Sequence, residues 1–264
     1  MMGSEPEFAS WQSYGRFRFE ITRKSRYIRS EESERFLAAV ADSCESRMVR
    51  VPEEKIFWRC QAAHDWDYEE DIDDLIPIPA PASRMVPPAD RATEGRANPK
   101  GIPCLYMATT KELAMSETRP WKGALITLAQ FKTRRALKLI DCSTSRVSAN
   151  ALYLREEPSP AKRADIAWAN INGAFAEPVT RGDDTADYAA TQAIADLFRA
   201  KGYDGLVYKS QFGAEGHNLA IFNISDAEPI NCTLFKAKDV VYTFSEAGNT
   251  IFYSDRSTLR VREV

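Results

Sequence analysis

Residues 95–117 read GRANPKGIPCLYMATTKELAMSE, and this stretch decides the reading of the chain because it sets an Arg, a Tyr and a Glu around one strand–helix turn. Gly95, Asn98, Pro99, Lys100, Gly101 and Pro103 punctuate a loop. Proline lacks an N–H and glycine tolerates positive φ, so this is neither helix nor ladder interior. The loop delivers a short strand, Cys104 to Ala108. Thr109 and Glu112 stand at capping-box spacing and predict a helix to about Thr118, stopped by Pro120. Tyr106 near the end of the strand and Glu117 near the end of the helix then face one cleft if the helix packs back across the sheet.

Two further segments carry similar chemistry. Lys55 to Cys60, KIFWRC, reads as an interior strand with Arg59 embedded in it. A buried guanidinium needs partners, and a phosphate or carboxylate suits its planar, paired donors. Gly202 to Asn223, GYDGLVYKSQFGAEGHNLAIFN, reads as strand (Gly205 to Lys209), glycine loop, strand (Leu219 to Phe222). Ser210 just past the first strand and Asn218 just before the second fall at the same edge of that pairing.

In this order the segments resemble the RES family, named for Arg, Glu and Ser, over roughly residues 53 to 225. Arg59 in FWRC is similar to the family's Arg, Glu117 in AMSE to its Glu, and Ser210 in YKSQ to its Ser. Tyr106 in CLYMA matches the tyrosine of the family's LYLA-like strand. The GRANPKG loop resembles the family's glycine, arginine, asparagine and proline loop, which makes Arg96 a second nucleotide contact, and GHNLAIF resembles the segment carrying its glycine and asparagine.

The resemblance implies an α+β fold related to ADP-ribosyltransferase domains, a mixed β-sheet with flanking helices, and NAD as substrate with no further cofactor. It implies a toxin or defence effector restrained by an inhibitory protein partner. NAD cleavage to water or phosphate is the first reading. Transfer of ADP-ribose to a protein or small-molecule acceptor is the second, and a catalytically inert NAD-binding module the third. The residue types suit cleavage, because breaking the nicotinamide–ribose bond builds positive charge that a carboxylate such as Glu117 stabilises. Arg59 would hold the pyrophosphate or the nicotinamide-side ribose, Tyr106 would stack on nicotinamide and hydrogen-bond through its hydroxyl, and Ser210 would orient Glu117 or the ribose. No His/Asp arrangement accompanies Ser210, so it is not read as a nucleophile.

The chain also departs from that pattern. About 67–94 lies an insert with the acidic run EEDIDD and the prolines of PIPAPASRMVPP, expected as an exposed or partly disordered loop without a role, or else as a lid or a partner's docking surface. Its carboxylates lack the glycine and distal Glu of a calcium loop, so no metal is expected. Cys60 follows Arg59 where relatives often carry an aromatic or another polar residue.

With 264 residues, 44% hydrophobic and 28% charged, the chain can bury a full core. Its net charge of -3 argues against a general nucleic-acid binder. No apolar run approaches a membrane span and the N-terminus lacks a signal-peptide core, so the cytoplasm is the expected compartment. Cys44, Cys60, Cys104, Cys142 and Cys232 show no CxxC pair and read as small core residues. His64 and His217 lack partner spacing.

Residues 1–52 read as an N-terminal extension and 53–264 as the catalytic domain. Within the extension, Ser30 caps a helix whose apolar stripe runs Phe36, Leu37, Val40, Ala41, Cys44, Met48. That stripe packs on the core or serves a homo-oligomer or partner. Arg16 to Arg29, RFRFEITRKSRYIR, is basic and aromatic and alternates like an exposed strand edge, with contact to nucleic acid or an acidic partner as the second reading. Farther on, Ala124 to Lys132 and Leu137 to Asp141 are strands, Pro160 to Phe175 and Thr185 to Ala200 helices, and Val240 to Phe244 with Thr250 to Tyr253 a closing hairpin.

Overall fold

Tyr14, Phe17 and Ile21 recur at intervals of three and four, and burying them draws Ser13–Arg23 into a helix, α1. The strand expected over Arg16 to Arg29 is therefore corrected: the basic alternation is the solvent face of a helix whose apolar period is longer than two. A second helix, α2 (Glu31–Ser43), starts at Ser30, whose side chain accepts a hydrogen bond from the Ser33 N–H. Phe36, Leu37 and Val40 face inward as read, while Met48 has already passed into strand β1 (Met48–Val51).

The computed structural model describes residues 7–144, 156–177, 185–212 and 215–241, and isolated positions beyond. After β1 come β2 (Ile56–Gln61), β3 (His64–Glu69), β4 (Asp74–Pro79), a one-turn α3 (Ala82–Met85), β5 (Leu105–Ala108) and α4 (Lys111–Glu117). There follow β6 (Leu125–Thr133), β7 (Leu137–Asp141), α5 (Pro160–Ala176), α6 (Ala189–Ala200), β8 (Gly205–Lys209), β9 (His217–Ile221) and β10 (Ala227–Lys236).

Among the described residues, β1, β7, β8, β9, β5, β2, β6 and β10 form one sheet in that order, antiparallel except for β7 on β8. The chain has the mixed α+β architecture expected. Alternation along the strands builds cores on both faces of the sheet, with a smaller cluster of Ala108, Leu113, Ala114 and Leu128 where α4 packs. Leu105 and Met107 of β5, Leu139 of β7 and Leu219 and Ile221 of β9 point to one face with Phe57, Phe131 and Met85. Ile140, Leu206, Tyr208 and Ala220 point to the other, where α1, α2, α5 and α6 cover them. There the buried Trp168 of α5 donates from Nε1 to Ser43 Oγ of α2 at 3.2 Å. The N-terminal helices thus share a core with α5 and α6. At Gly205 a side chain is excluded, because a Cβ would stand 2.2 Å from the Ala220 carbonyl oxygen.

Three elements differ from the sequence reading. The acidic insert is a hairpin: β3 and β4 pair from His64↔Pro79 to Glu69↔Asp74, and Met85 behind it is buried in the core. β10 went unread because Glu228, Pro229 and Asn231 look like loop. It is an edge strand whose register shifts between Pro229 and Asn231, where a missing N–H is tolerated. Of the closing hairpin, Ile251–Phe252 (β11) pairs with Arg260–Val261 (β12) rather than with Val240 to Phe244, and positions 242 and 244 lie outside the described residues.

Candidate functional site

The site lies where the sheet is least complete. β2 pairs with β6 over six residues and β5 pairs with β9 over four, but β2 and β5 meet only at Trp58↔Ala108. Beyond that pair the ladder opens, and the next residue on β2 is Arg59. Its Nη1 donates to the Tyr106 carbonyl oxygen at 2.8 Å, taking up a backbone acceptor that β2 leaves unpaired. Its Nε is enclosed without a partner, and among the described residues no carboxylate pairs with it. Burial lowers the guanidinium pKa from its ordinary value, yet arginine keeps its charge at neutral pH. A cation held this way, with a spare donor, is a receptor for an anion.

Glu117 closes the opposite side. It is the last residue of α4, whose cap is Thr110: the Thr110 hydroxyl accepts from the Leu113 N–H. The expected Thr109 cap is displaced by one residue because Thr109 is used elsewhere, its Oγ1 accepting from the His217 N–H at 2.8 Å. That bond ties the start of β9 to the turn before α4, so His217 is a strand residue rather than part of a free loop. Glu117 Oε1 accepts from Ser210 Oγ at 2.7 Å and from Asn218 Nδ2 at 2.5 Å. Ser210 Oγ also accepts from the Phe212 N–H at 2.9 Å, which turns its own proton toward the carboxylate. Asn218 lies inside β9, buried and paired with both Tyr208 and Ala108. Among the described residues Oε2 accepts no hydrogen bond, so one oxygen is anchored while the other serves the cavity.

The GRANP loop is pinned from below. Tyr106 Oη donates to Asn98 Oδ1 at 2.7 Å and accepts from the Ala97 N–H at 2.8 Å. Asn98 Nδ2 donates to the carbonyls of Thr93 and Ile102, and Gln192 Nε2 of α6 to those of Gly95 and Asn98. Gly95 is required there, since a Cβ would lie 2.5 Å from Tyr106 Oη. The Tyr106 hydroxyl, expected to reach substrate, is thus engaged in the fold, burial pushes its pKa well up, and its ring remains on the cavity wall. Arg96 stands on this loop, its Nη2 donating to the Glu177 carbonyl.

Arg59, Arg96, Tyr106, Glu117 and Asn218 line one cavity of about 360 Å³, a size within the usual range for ligand sites. Ser210 reaches it through Glu117. Sequence reasoning missed the rest of the wall. Trp58 and Tyr208 neighbour recognised residues, Tyr188 stands at the N-terminal cap position of α6, and Arg119, at φ 45 just past α4, lies over the Phe212 ring at 4.7 Å. Three guanidiniums against one carboxylate favour an anionic ligand. Cys60 also lines the wall, but burial pushes its thiol up to about 11, which leaves it unreactive near neutral pH. Among the described residues no group of three His, Cys, Asp or Glu side chains gathers to hold a metal, and no helix is long and apolar enough to cross a membrane.

The RES domain family model matches residues 56–243. Among solved structures, a chain from the crystal structure of the M. tuberculosis MbcT–MbcA toxin–antitoxin complex is similar, with 13% identity and a TM-score of 0.40 over 74% of this chain and 91% of that one. No curated protein matches the sequence.

Proposed function

The chain belongs to the RES domain family, and from that premise we propose that it is an NAD-consuming enzyme that cleaves the bond between nicotinamide and ribose. The observation that carries the proposal is the pairing, across one cavity, of a carboxylate anchored by Ser210 and Asn218 with a buried guanidinium that has no carboxylate of its own.

In this reading the C–N bond breaks with its electron pair leaving on nicotinamide, and the ribose becomes an oxocarbenium ion. Glu117 Oε2 stabilises that charge, which exists in the transition state and not in the bound substrate. Arg59, with Arg96, holds the pyrophosphate through paired N–H donors, which is positioning rather than bond-breaking. The ring of Tyr106 contacts the nicotinamide side. Water then attacks the ribose carbon and releases a proton to solvent, or phosphate attacks through an oxygen that is already ionised. The toxin role, in the cytoplasm and under an inhibitory protein partner, rests on family membership and on the harm that unchecked NAD loss does to a cell.

The test is purified protein with NAD, with and without phosphate, and chromatography of the products. Free nicotinamide with ADP-ribose identifies water as acceptor, and phosphorylated ADP-ribose identifies phosphate. Nicotinamide release only when a protein acceptor is added would replace the proposal with ADP-ribosyl transfer. Binding of NAD without turnover would replace it with a binding module.

A further inference from the structure

The hairpin β3–β4 stands apart from the main sheet as its own two-stranded sheet. Residues 64–79 carry seven carboxylates and no Lys or Arg. Among the described residues, none of the seven forms an ion pair. Glu69 and Asp74 sit directly opposite each other in the register, an arrangement of like charges that weakens a strand pair. Trp66, Tyr68, Ile72 and Leu75 are all more than half exposed. Ile76 to Pro79 of β4 are half-buried beside β6 and β10, but most of β3 and the hairpin's tip are exposed, and a two-stranded ribbon is marginal by itself; this one also presents apolar surface to solvent.

The same chain carries the complementary surface. Residues 16–29, α1 and the turn after it, hold six Lys and Arg against Glu20 alone. Glu20 is half-exposed, and its carboxylate is engaged within the copy, accepting from Ser30 and Ser33. Arg16 pairs with Glu32, Arg29 with Glu34, and Arg18 and Arg23 with Asp187, all at the surface, contacts weak enough to be exchanged. Lys24 and Arg26 point to solvent, beside Tyr27 at 88% and Ile28 at 85% exposure and the exposed Phe19. Aromatic and aliphatic groups set among one sign of charge thus recur on both surfaces, with the signs opposed. Between α1 and α5 a groove of about 810 Å³, walled in part by Trp11, Arg18, Phe19 and Lys24, adjoins the basic surface.

We propose that the protein self-associates, the acidic hairpin β3–β4 of one copy docking on the basic α1 surface of a second. Opposed potentials steer and register such an encounter, and the apolar side chains then lose water on both sides. The hairpin's repulsion is relieved by the partner copy's cations.

The test is sedimentation velocity on the full chain across a concentration series. The expected result is dimers or larger assemblies at about 50 mM salt, with an association constant that falls at least about tenfold at about 500 mM, where exposed charges are screened. Two variants, Asp67→Lys with Glu70→Lys, and Lys24→Glu with Arg26→Glu, are each expected to sediment as monomers while keeping the wild-type circular dichroism and Tm. Mixed in equal amounts, the two variants are expected to associate again, which misfolding could not produce. A wild type that stays monomeric up to about 100 μM at low salt, a concentration at which a weak but specific contact of about −6 kcal/mol would be visible, overturns the proposal and leaves the hairpin to a cationic partner of different sequence. Association that persists unchanged in both variants overturns it as well.

Discussion

Asn218 Nδ2 donates to Glu117 Oε1 at 2.5 Å although the two residues stand 101 positions apart. The bond joins the middle of the sheet to the end of a short helix. Asn218 is held on both sides by strands β8 and β5, so it transmits the rigidity of the ladder to a carboxylate that α4, only seven residues long, could not fix alone.

Replacing Ser210 tests that support. Ser210→Ala removes one of the two donors to Oε1 and frees the Phe212 N–H. We expect kcat for nicotinamide release to fall about tenfold, with KM for NAD changed by less than about threefold, as for loss of one hydrogen bond felt mainly in the transition state. Steady-state kinetics with folded variant checks it, and a rise in KM alone would make Ser210 a substrate contact instead.

Arg59 predicts opposite signs for binding and stability. Its side chain is a cation taken from water that, among the described residues, makes one hydrogen bond, to Tyr106, and leaves Nε without a partner. Arg59→Met is therefore expected to leave Tm unchanged or raise it, since an apolar side chain of similar length removes a desolvation cost. NAD affinity by calorimetry is expected to fall by at least about tenfold through loss of a charge-assisted contact. A large drop in Tm with affinity retained would make Arg59 a structural residue.

Tyr106 separates fold from function in a different way. Tyr106→Phe leaves Asn98 Oδ1 and the Ala97 N–H without their partner, at a cost of about 1–3 kcal/mol in urea unfolding. The ring stays on the cavity wall, so turnover is expected to persist within severalfold. Loss of turnover at unchanged stability would show that the hydroxyl acts on substrate.

How far the chain could be read from its letters follows from the range of the interactions. Arg59, Tyr106, Glu117, Ser210 and Asn218 stood out only because their motifs, taken in order, resemble the RES family, each local pattern alone being ordinary strand, cap or turn chemistry; the structure brings all five to one cavity or its support. The engagement of the Tyr106 hydroxyl by Asn98 was not legible, because it depends on how a loop folds under the strand that follows it. Arg119 gave no signal, since its position comes from a positive φ that favours no arginine. The α1 segment was misread because its arginines alternate while Tyr14, Phe17 and Ile21 do not. In β10, edge position excused residues that a central strand would reject.

Acid stability should report the tie between the β6–β7 turn and β8. Burial works against ionised Asp204, but Arg135, with Nη2 at 2.7 Å, and the Lys138 N–H outweigh it and hold its pKa below the ordinary carboxylate value. A depressed folded pKa gives stability that is complete above the unfolded value of about 3.9 and is lost as pH falls through the lower folded one. Arg135→Ala is therefore expected to lower Tm at pH 7 and to flatten its decline below about pH 4. Equal Tm losses at pH 7 and at low pH would refute this linkage.

The most direct measurement compares nicotinamide release from NAD by the wild type and by Glu117→Gln, a change that keeps the oxygen receiving Ser210 and Asn218 while removing the charge. The account predicts release by the wild type and a rate lower by about 10² or more in the variant, the scale of losing an electrostatic contact to a transition state, with Tm within a few degrees of wild type. Release at the wild-type rate by a folded Glu117→Gln would contradict it.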